Sequence, residues 1–426
     1  MDIATRRRRR ALFVFFFLPG LSISSWVTRT PDIRDQLDVS TAQMGLVLFG
    51  LSVGSMLGVL CSGALVARLG TRPVTAGGTL LVIVSMTAIG GGTLVSSAPV
   101  VTAGLFLFGL GVGGGEVAIN IDGADVERIT GRAVLPTLHG FFSLGTVAGA
   151  GLGILFTAVD FPVQWHLIAI AAAAVGLFAH AIRAIPAGVG KTRGAAGGGG
   201  RDGGQSGDGQ AETAAPAGPV WKDPRLLMIG GIILAMALAE GAANDWLPLL
   251  MVDGHGLDDT LGSVVYAGFA AAMSLGRFSG GFFIDRFGRA VVVRASAVSA
   301  ALGLTLVVFV DSPVAASAAV LFWGLGASLG FPVALSAAGD SGPDPAARVS
   351  LVAMLGYVAF LVGPPGLGFL GDHYGLRAAM GAVLVFVAAA VFLAPATAPR
   401  HGAAAPAARA ADTTAGAGTG AQAPHA

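Results

Sequence analysis

A chain of 426 residues in which 54% are hydrophobic and 12% charged carries about half the charge of a soluble globular protein. That balance excludes a water-solvated domain; the net charge of +1 says little about partners, since in such a chain the placement of charges matters more than their sum, and nucleic acid is not an expected partner. The lone cysteine, Cys61, excludes an intramolecular disulfide and sits in an apolar run as a packing residue.

The charges fall in short clusters between apolar runs of roughly 20 residues, the length at which a helix crosses hydrocarbon. The first run covers 11 to 29, behind Arg6 to Arg10, and five more cover 42 to 67, 74 to 95, 98 to 123, 135 to 157 and 164 to 184. After a break, six follow at 225 to 252, 259 to 284, 290 to 311, 313 to 338, 347 to 370 and 376 to 396. Sixty-six glycines and abundant alanine suit helices that pack closely in lipid. The expected fold class is an all-α membrane protein of 12 transmembrane helices in two six-helix bundles, at 1–185 and 223–396.

Between the bundles, 186–222 contains GAAGGGGRDGGQSGDGQAETAAPAGP, too poor in apolar residues to order a fold, and is expected to be a flexible cytoplasmic linker. As a Gly-rich coil it reaches roughly 35 Å, enough to join two bundles on one membrane face. The Ala-, Pro- and Gly-rich tail at 397–426 is expected to be disordered on the same grounds.

Lys and Arg set the orientation, because they favour the cytoplasmic side. With the N-terminus inside, that side holds Arg6 to Arg10, Arg68, Arg72, Arg128, Arg132, the linker bases, Arg286, Arg289, Arg294 and Arg348. The other side holds Arg29, Arg34 and Arg377. Both termini are thus expected in the cytoplasm. The arginine run before ALFVFFFLPG also has the form of a signal peptide, but no A-x-A cleavage site follows, and removing the segment would break the even count.

The two halves repeat. GALVARLGTR from Gly63 and GFFIDRFGRA from Gly281 close the second and eighth spans half a chain apart. Gly109, Gly111 and Gly115 in the fourth span recur as Gly324, Gly326 and Gly330 in the tenth, and Gly145 and Gly153 in the fifth match Gly363 and Gly371 in the eleventh. With this pattern the chain resembles the major facilitator superfamily, whose loop motif after the second and eighth spans is G-x-x-x-D-R-x-G-R. The second copy is complete in Gly281, Asp285, Arg286, Gly288 and Arg289, whereas the first keeps Gly63, Arg68, Gly70 and Arg72 but has Ala67 in place of the aspartate. SSWVTRTPDIRDQL after the first span and VERITGR before LHGFFSLG look like a bacterial subgroup distantly similar to fucose permeases. The resemblance implies two pseudo-symmetric bundles, with motif contacts that hold the halves together on the cytoplasmic side and release as the transporter switches. Physically, the glycines permit a tight turn and close helix contact, and an acid at a helix end can meet an opposing helix N-terminus. A plain topogenic basic turn is the alternative, more so for the Ala67 copy.

A charge at the bilayer centre costs several kcal/mol, so ionisable residues within spans are candidate sites. Glu240 lies near the middle of the seventh span, with Asn244 one turn away and Asp245 beside it. Here Asn can bond a polar ligand, Trp246 can stack on a ring and Glu240 can exchange a proton; an interhelical polar clamp is the structural alternative. Glu116 and Asn120 pair on one face of the fourth span as a second candidate for proton coupling, while Asp122 is open to capture by a charge network of Asp125, Glu127, Arg128 and Arg132. Arg277 can clamp an anionic group or snorkel to the cytoplasm. His139 can titrate near neutrality or sit at the interface. Ser22, Ser24, Ser25 and Trp26 offer polar chemistry in the first span; Trp26 and Trp165 also suit the outer aromatic belt, and Trp323 is the better cavity candidate. Pro364 and Pro365 bend the eleventh span, as a gating helix or as a static kink.

These readings combine as a secondary active transporter working by alternating access, with substrate near midplane between the halves and protons as the coupling ion. No G-x-x-x-x-G-K-[ST] occurs, which disfavours ATP as the driver, and no cluster of acids, histidines or metal ligands suggests an enzyme or a cofactor. The expected partners are a small-molecule substrate, protons and the lipid bilayer of the plasma (inner) membrane, with the chain acting as a monomer. Uptake of a sugar-like polar solute and export of an amphipathic metabolite or drug both stay open, as does a receptor or scaffold that keeps the fold without moving solute.

Overall fold

The computed structural model describes residues 2–131, 134–191 and 220–399. Within them the chain forms helices α1 (Ile3–Val27), α2 (Thr30–Leu37), α3 (Thr41–Leu69), α4 (Thr71–Leu94), α5 (Ala98–Thr130), α6 (Leu135–Ala158) and α7 (Val163–Ala181). After the break come α8 (Pro224–His255), α9 (Asp259–Phe287), α10 (Arg289–Phe309), α11 (Pro313–Gly339), α12 (Pro345–Tyr374) and α13 (Leu376–Leu393). All except α2 are long and apolar enough to cross a membrane, which gives the twelve expected spans.

Local chemistry sets the ends. Ser40 and Gln43 form a capping box at the start of α3, and Asp258 caps α9 by accepting from the Leu261 N–H at 2.9 Å. Three boundaries differ most from the sequence reading, the first being α5, which runs on past 123 to Thr130 and carries Asp125, Glu127 and Arg128 on the helix. Helix α1 begins eight residues earlier, ahead of the arginine run, because Asp2 caps it and Arg8 docks onto α5. The short α2 lies in what reads as a loop; Pro31 in its first turn and the pattern of Ile33 and Leu37 are its available signals.

The halves share one packing scheme. In the first, α1 lies on α6, and α3 and α4 both lie on α5; in the second, α8 lies on α12, and α9 and α10 both lie on α11. The repeated glycines explain why. A methyl group at Gly109 would collide with the α3 backbone at Leu51, and one at Gly111 with α4 at Gly78; Gly324 and Gly326 stand in the same relation to Phe269 of α9 and Ala300 of α10. Close backbone approach on two faces of one helix needs small residues on both.

The motif loops repeat as well. Gly70 and Gly288 have φ of +90° and +79°, and their N–H groups donate to the Val66 and Ile284 carbonyls at 2.8 and 2.9 Å. The left-handed backbone is what these positions require. A methyl at Gly288 would meet open space, so Gly288→Ala should cost about 1–2 kcal/mol through backbone strain alone. Gly281, helical and equally uncrowded, should tolerate alanine to within about 0.5 kcal/mol. Thermal unfolding of the two variants in detergent checks this; equal melting would rule out the conformational role.

At the end where α1 begins, the arginine end, each half is tied by a buried ion pair. Arg8 donates from Nε to Asp122 Oδ1 at 2.5 Å and from Nη1 to Asp125 Oδ2 at 2.8 Å, while Thr71 Oγ1 donates to Asp122 Oδ2 at 2.9 Å. In the second half Arg348 binds Asp223 and Ser341. Burial raises the proton affinity of Asp223, but the Arg348 guanidinium and the Leu226 and Arg225 N–H groups outweigh it and hold the carboxyl below the usual aspartate range. The expected linker begins as ordered chain, since the Val189 carbonyl accepts from the Thr71 N–H at 2.8 Å across the α3–α4 turn. Its remainder at 192–219, Arg132 and the tail from 400 lie outside the described residues.

Candidate functional site

The halves meet along two seams, α3 with α12 and α6 with α9. The hydrogen bonds that join them among the described residues gather at the end opposite the arginine end. There Ser263 Oγ donates to the Thr28 carbonyl at 2.8 Å, Arg34 pairs with Asp253, and the Ala42 N–H approaches Asp372 Oδ1 at 3.4 Å. Bare backbone completes this closure, for a methyl at Gly45 would sit 2.8 Å from the Pro364 carbonyl oxygen and one at Gly368 2.9 Å from the Gly45 Cα.

Toward the arginine end the halves part around a cavity of about 460 Å³, within the usual size of ligand sites. Its walls come from α1, α4, α5, α6, α8, α9, α11 and α12, so both halves build it. Most of the lining is apolar, with Phe15, Phe16, Phe142, Phe331 and Phe360 prominent. The charged or titratable groups are Glu116, His139, Glu240, Arg277 and Tyr357. Arg277 Nη2 donates to Glu240 Oε1 at 2.7 Å, joining α9 to α8. Glu116 lies within electrostatic reach of Arg277 and Tyr357, yet its carboxylate has no hydrogen bond or ion pair among the described residues. His139 turns its ring edge-on to Phe16 at 5.0 Å.

Four polar residues that the sequence picks out in four separate spans, Glu116, His139, Glu240 and Arg277, therefore converge on one cavity. Arg277 neither snorkels nor joins the motif; Glu240 holds it. Other expected site residues lie elsewhere. Asn244, one turn beyond Glu240, accepts from the Tyr266 hydroxyl at 3.3 Å, and Asp245 is buried next to it, both on the closed side of the cavity. Asn120 bonds back to the Glu116 carbonyl at 3.0 Å and does not line the cavity. The two tryptophans are a correction. Trp26 is fully buried edge-on against Phe108, away from both cavity and belt, and Trp323 is fully buried with Nε1 donating to the Ala239 carbonyl at 3.2 Å. Each ring gains more by filling an interhelical gap and, for Trp323, bonding a carbonyl than by facing open space. Trp165 is half exposed at the closed end, as a belt residue should be. Of the first-span serines, Ser25 bonds back to the Leu21 carbonyl, and Ser22 and Ser24 are buried.

Sequence reasoning misses the aromatic walls and Tyr357. The run FVFFF in the first span and a mid-span tyrosine in GYVAF are the signals, but phenylalanine in a membrane span is as much at home against lipid as against a cavity. The motif residues Asp285 and Arg286 are exposed at the arginine end with Arg68, and Arg289 Nη1 donates to Asp340 Oδ2 at 2.5 Å. Gly63 and Gly281 have empty space where a side chain would be.

A family model described as Major Facilitator Superfamily matches residues 11–350 and 246–421. An uncharacterized MFS-type transporter of Yersinia pestis is 30% identical over 385 residues, covering 87% of this chain and 91% of that one. In fold, the chain is similar to the crystal structure of the nucleoside transporter NupG, with a TM-score of 0.66 at 16% identity over 93% of this chain and 98% of that one. It is also similar to the crystal structure of a D-xylose–proton symporter, with a TM-score of 0.68 at 10% identity over 92% and 96% of the two chains.

Proposed function

Because this chain belongs to the major facilitator superfamily, whose members to which it is similar are transporters, we propose that it carries its small-molecule substrate by alternating access and couples that movement to protons. The observation that carries this reading is the convergence of Glu116, Glu240 and Arg277, from three spans and both halves, on a cavity sealed at one end. Intramembrane charge of this kind is maintained at a cost and marks an ion or substrate path.

The arginine excess supports a reading in which the open end faces the cytoplasm of an inner-membrane protein, an inward-open arrangement. Glu240 and Arg277 neutralise each other while the cavity is wet. One proton neutralises the set: on Glu116 it would remove the unpaired charge, and on Glu240 it would free Arg277 to compensate Glu116, so that the emptied cavity could cross the midpoint of the cycle without an uncompensated charge. Closing the cytoplasmic end would bring helices into the space now open at Gly63 and Gly281 and give Asp285 a partner there. The first motif copy, with Ala67, has no carboxylate to do likewise, which makes the latch one-sided. The cavity is complete within one chain, which supports a working monomer. Asn244 and Asp245 would enter the path when the opposite end opens.

The test is flux. Ligands found by thermal stabilisation of the purified protein are followed in proteoliposomes under pH gradients of both signs, with and without a protonophore. Accumulation that follows the gradient and collapses with the protonophore is expected. Flux indifferent to the gradient would sink the coupling, and stabilisation without flux would favour a receptor that keeps the fold.

A further inference from the structure

The chemistry of the cavity goes beyond transport as such to the kind of molecule carried. Two carboxylates, Glu116 and Glu240, face one guanidinium, Arg277, and that guanidinium is held by Glu240 at 2.7 Å. With the His139 imidazole neutral, the cavity keeps one negative charge in excess, and it belongs to Glu116, whose carboxylate has no partner among the described residues. The same cavity is lined by Phe15, Phe16, Phe142, Phe331, Tyr357 and Phe360. Aromatic faces attract cations and bury apolar bodies, and both effects grow as water is excluded. A polyol would fare badly here. Each hydroxyl left without a partner weakens binding, and the remaining polar groups are few: the Thr79 hydroxyl donates to the Thr75 carbonyl at 2.9 Å, which leaves the buried Thr75 hydroxyl as a single small partner in that wall. An anion would meet the Glu116 carboxylate and would have to take Arg277 from Glu240.

We infer that the substrate is an amphipathic organic cation, an amine or quaternary ammonium on an aromatic or aliphatic body, whose charge is met by Glu116 and whose body fills the phenylalanine-lined part of the cavity. This rests on the cavity being the transport site. It has a mechanistic corollary: Glu116 can hold the cation or a proton but not both, so a proton arriving from water at its carboxylate oxygen displaces the cation, and the two move in exchange. The groups that bear on this competition are Glu240, Arg277, His139 and Tyr357.

A charge series on a constant body tests the class. The purified wild-type protein is titrated with 4-phenylbutyl-trimethylammonium, 4-phenylbutanol and 4-phenylbutyrate, by calorimetry and thermal shift. The cation should bind at least about tenfold more tightly than the alcohol, with the carboxylate weakest, and Glu116→Gln should bring the cation down to the alcohol. Equal binding of cation and alcohol, tighter binding of the carboxylate, or no binding of the cation would each overturn the inference. The ranking is made on wild-type protein, so it decides the matter even if the variant fails to fold. Counterflow of the cation in proteoliposomes separates the two levels. Selective, Glu116-dependent binding without flux would leave the ligand class standing and refute transport, whereas gradient-driven flux of another solute, with no cation binding, would do the reverse.

Discussion

Glu240→Gln should reduce gradient-driven flux by about a hundredfold while moving the melting temperature little. The flux loss corresponds to about 3 kcal/mol, because the occluded midpoint of the cycle, where water no longer solvates the guanidinium, would have to form without one member of the pair. The stability effect is smaller because the pair faces a wet cavity: the Glu240 and Arg277 side chains are 17% and 37% exposed, and water can solvate the guanidinium left behind. A cost of about 1 kcal/mol or less is expected for an ion pair so placed. Arg277→Gln should give the same phenotype. If the pair acts as one unit, the double variant should be no worse than either single one, a non-additivity that a double-mutant cycle in proteoliposomes measures directly. Retained flux in Glu240→Gln would return Glu240 and Arg277 to a structural clamp and leave Glu116 as the sole proton carrier.

Arg8→Ala should have the opposite character, with a large loss of stability from a residue outside the cavity. The Arg8 side chain is 8% exposed and that of Asp122 wholly buried, so removing the cation leaves a carboxylate with only the Thr71 hydroxyl beside it. Breaking a buried pair from one side costs about 3–5 kcal/mol. Three helices are held at this point, α1 through Arg8, α5 through Asp122 and Asp125, and α4 through Thr71. Lysine should rescue in part at best, because Arg8 uses Nε, Nη1 and Nη2 in a fork that a single ammonium cannot copy. Arg7→Ala, at an exposed position on the next face, is the control and should fall within about 0.5 kcal/mol of wild type. Chemical or thermal unfolding in detergent decides; if the Arg7 and Arg8 variants behave alike, the arginine run serves only to orient the chain.

Arg8 also shows where the sequence stops being legible. Five consecutive arginines before an apolar run state on which side the helix begins, because orientation depends on their sum. Which one turns inward depends on the phase of α1 against α5, and that is settled by packing. The same division holds at the cavity. Glu116, Glu240, Arg277 and His139 stand out because an ionisable group in an apolar span needs a reason, whatever the tertiary structure. Asn244 and Asp245 stand out on the same ground, but one further helical turn carries them past the cavity into the closed seam. Trp26 and Trp323 lie outside the cavity because an indole can pack between helices as well as face a cavity or the belt, and only the neighbouring helices decide between these. The cavity aromatics are invisible for the converse reason, since lipid and ligand impose the same preference on phenylalanine. The spans themselves are fully legible, because hydrocarbon thickness acts on length and composition alone.

The glycine contact between α3 and α12 at Gly45 and Gly368 has a further bearing on how the closed end behaves. Two backbones touching there have no side chains to reorient, and no fixed charges to desolvate, when they part and meet again. The barrier at that contact is set by shape, so salt and pH should act on the closed end through Arg34–Asp253 and Asp372 beside it and not through the glycines.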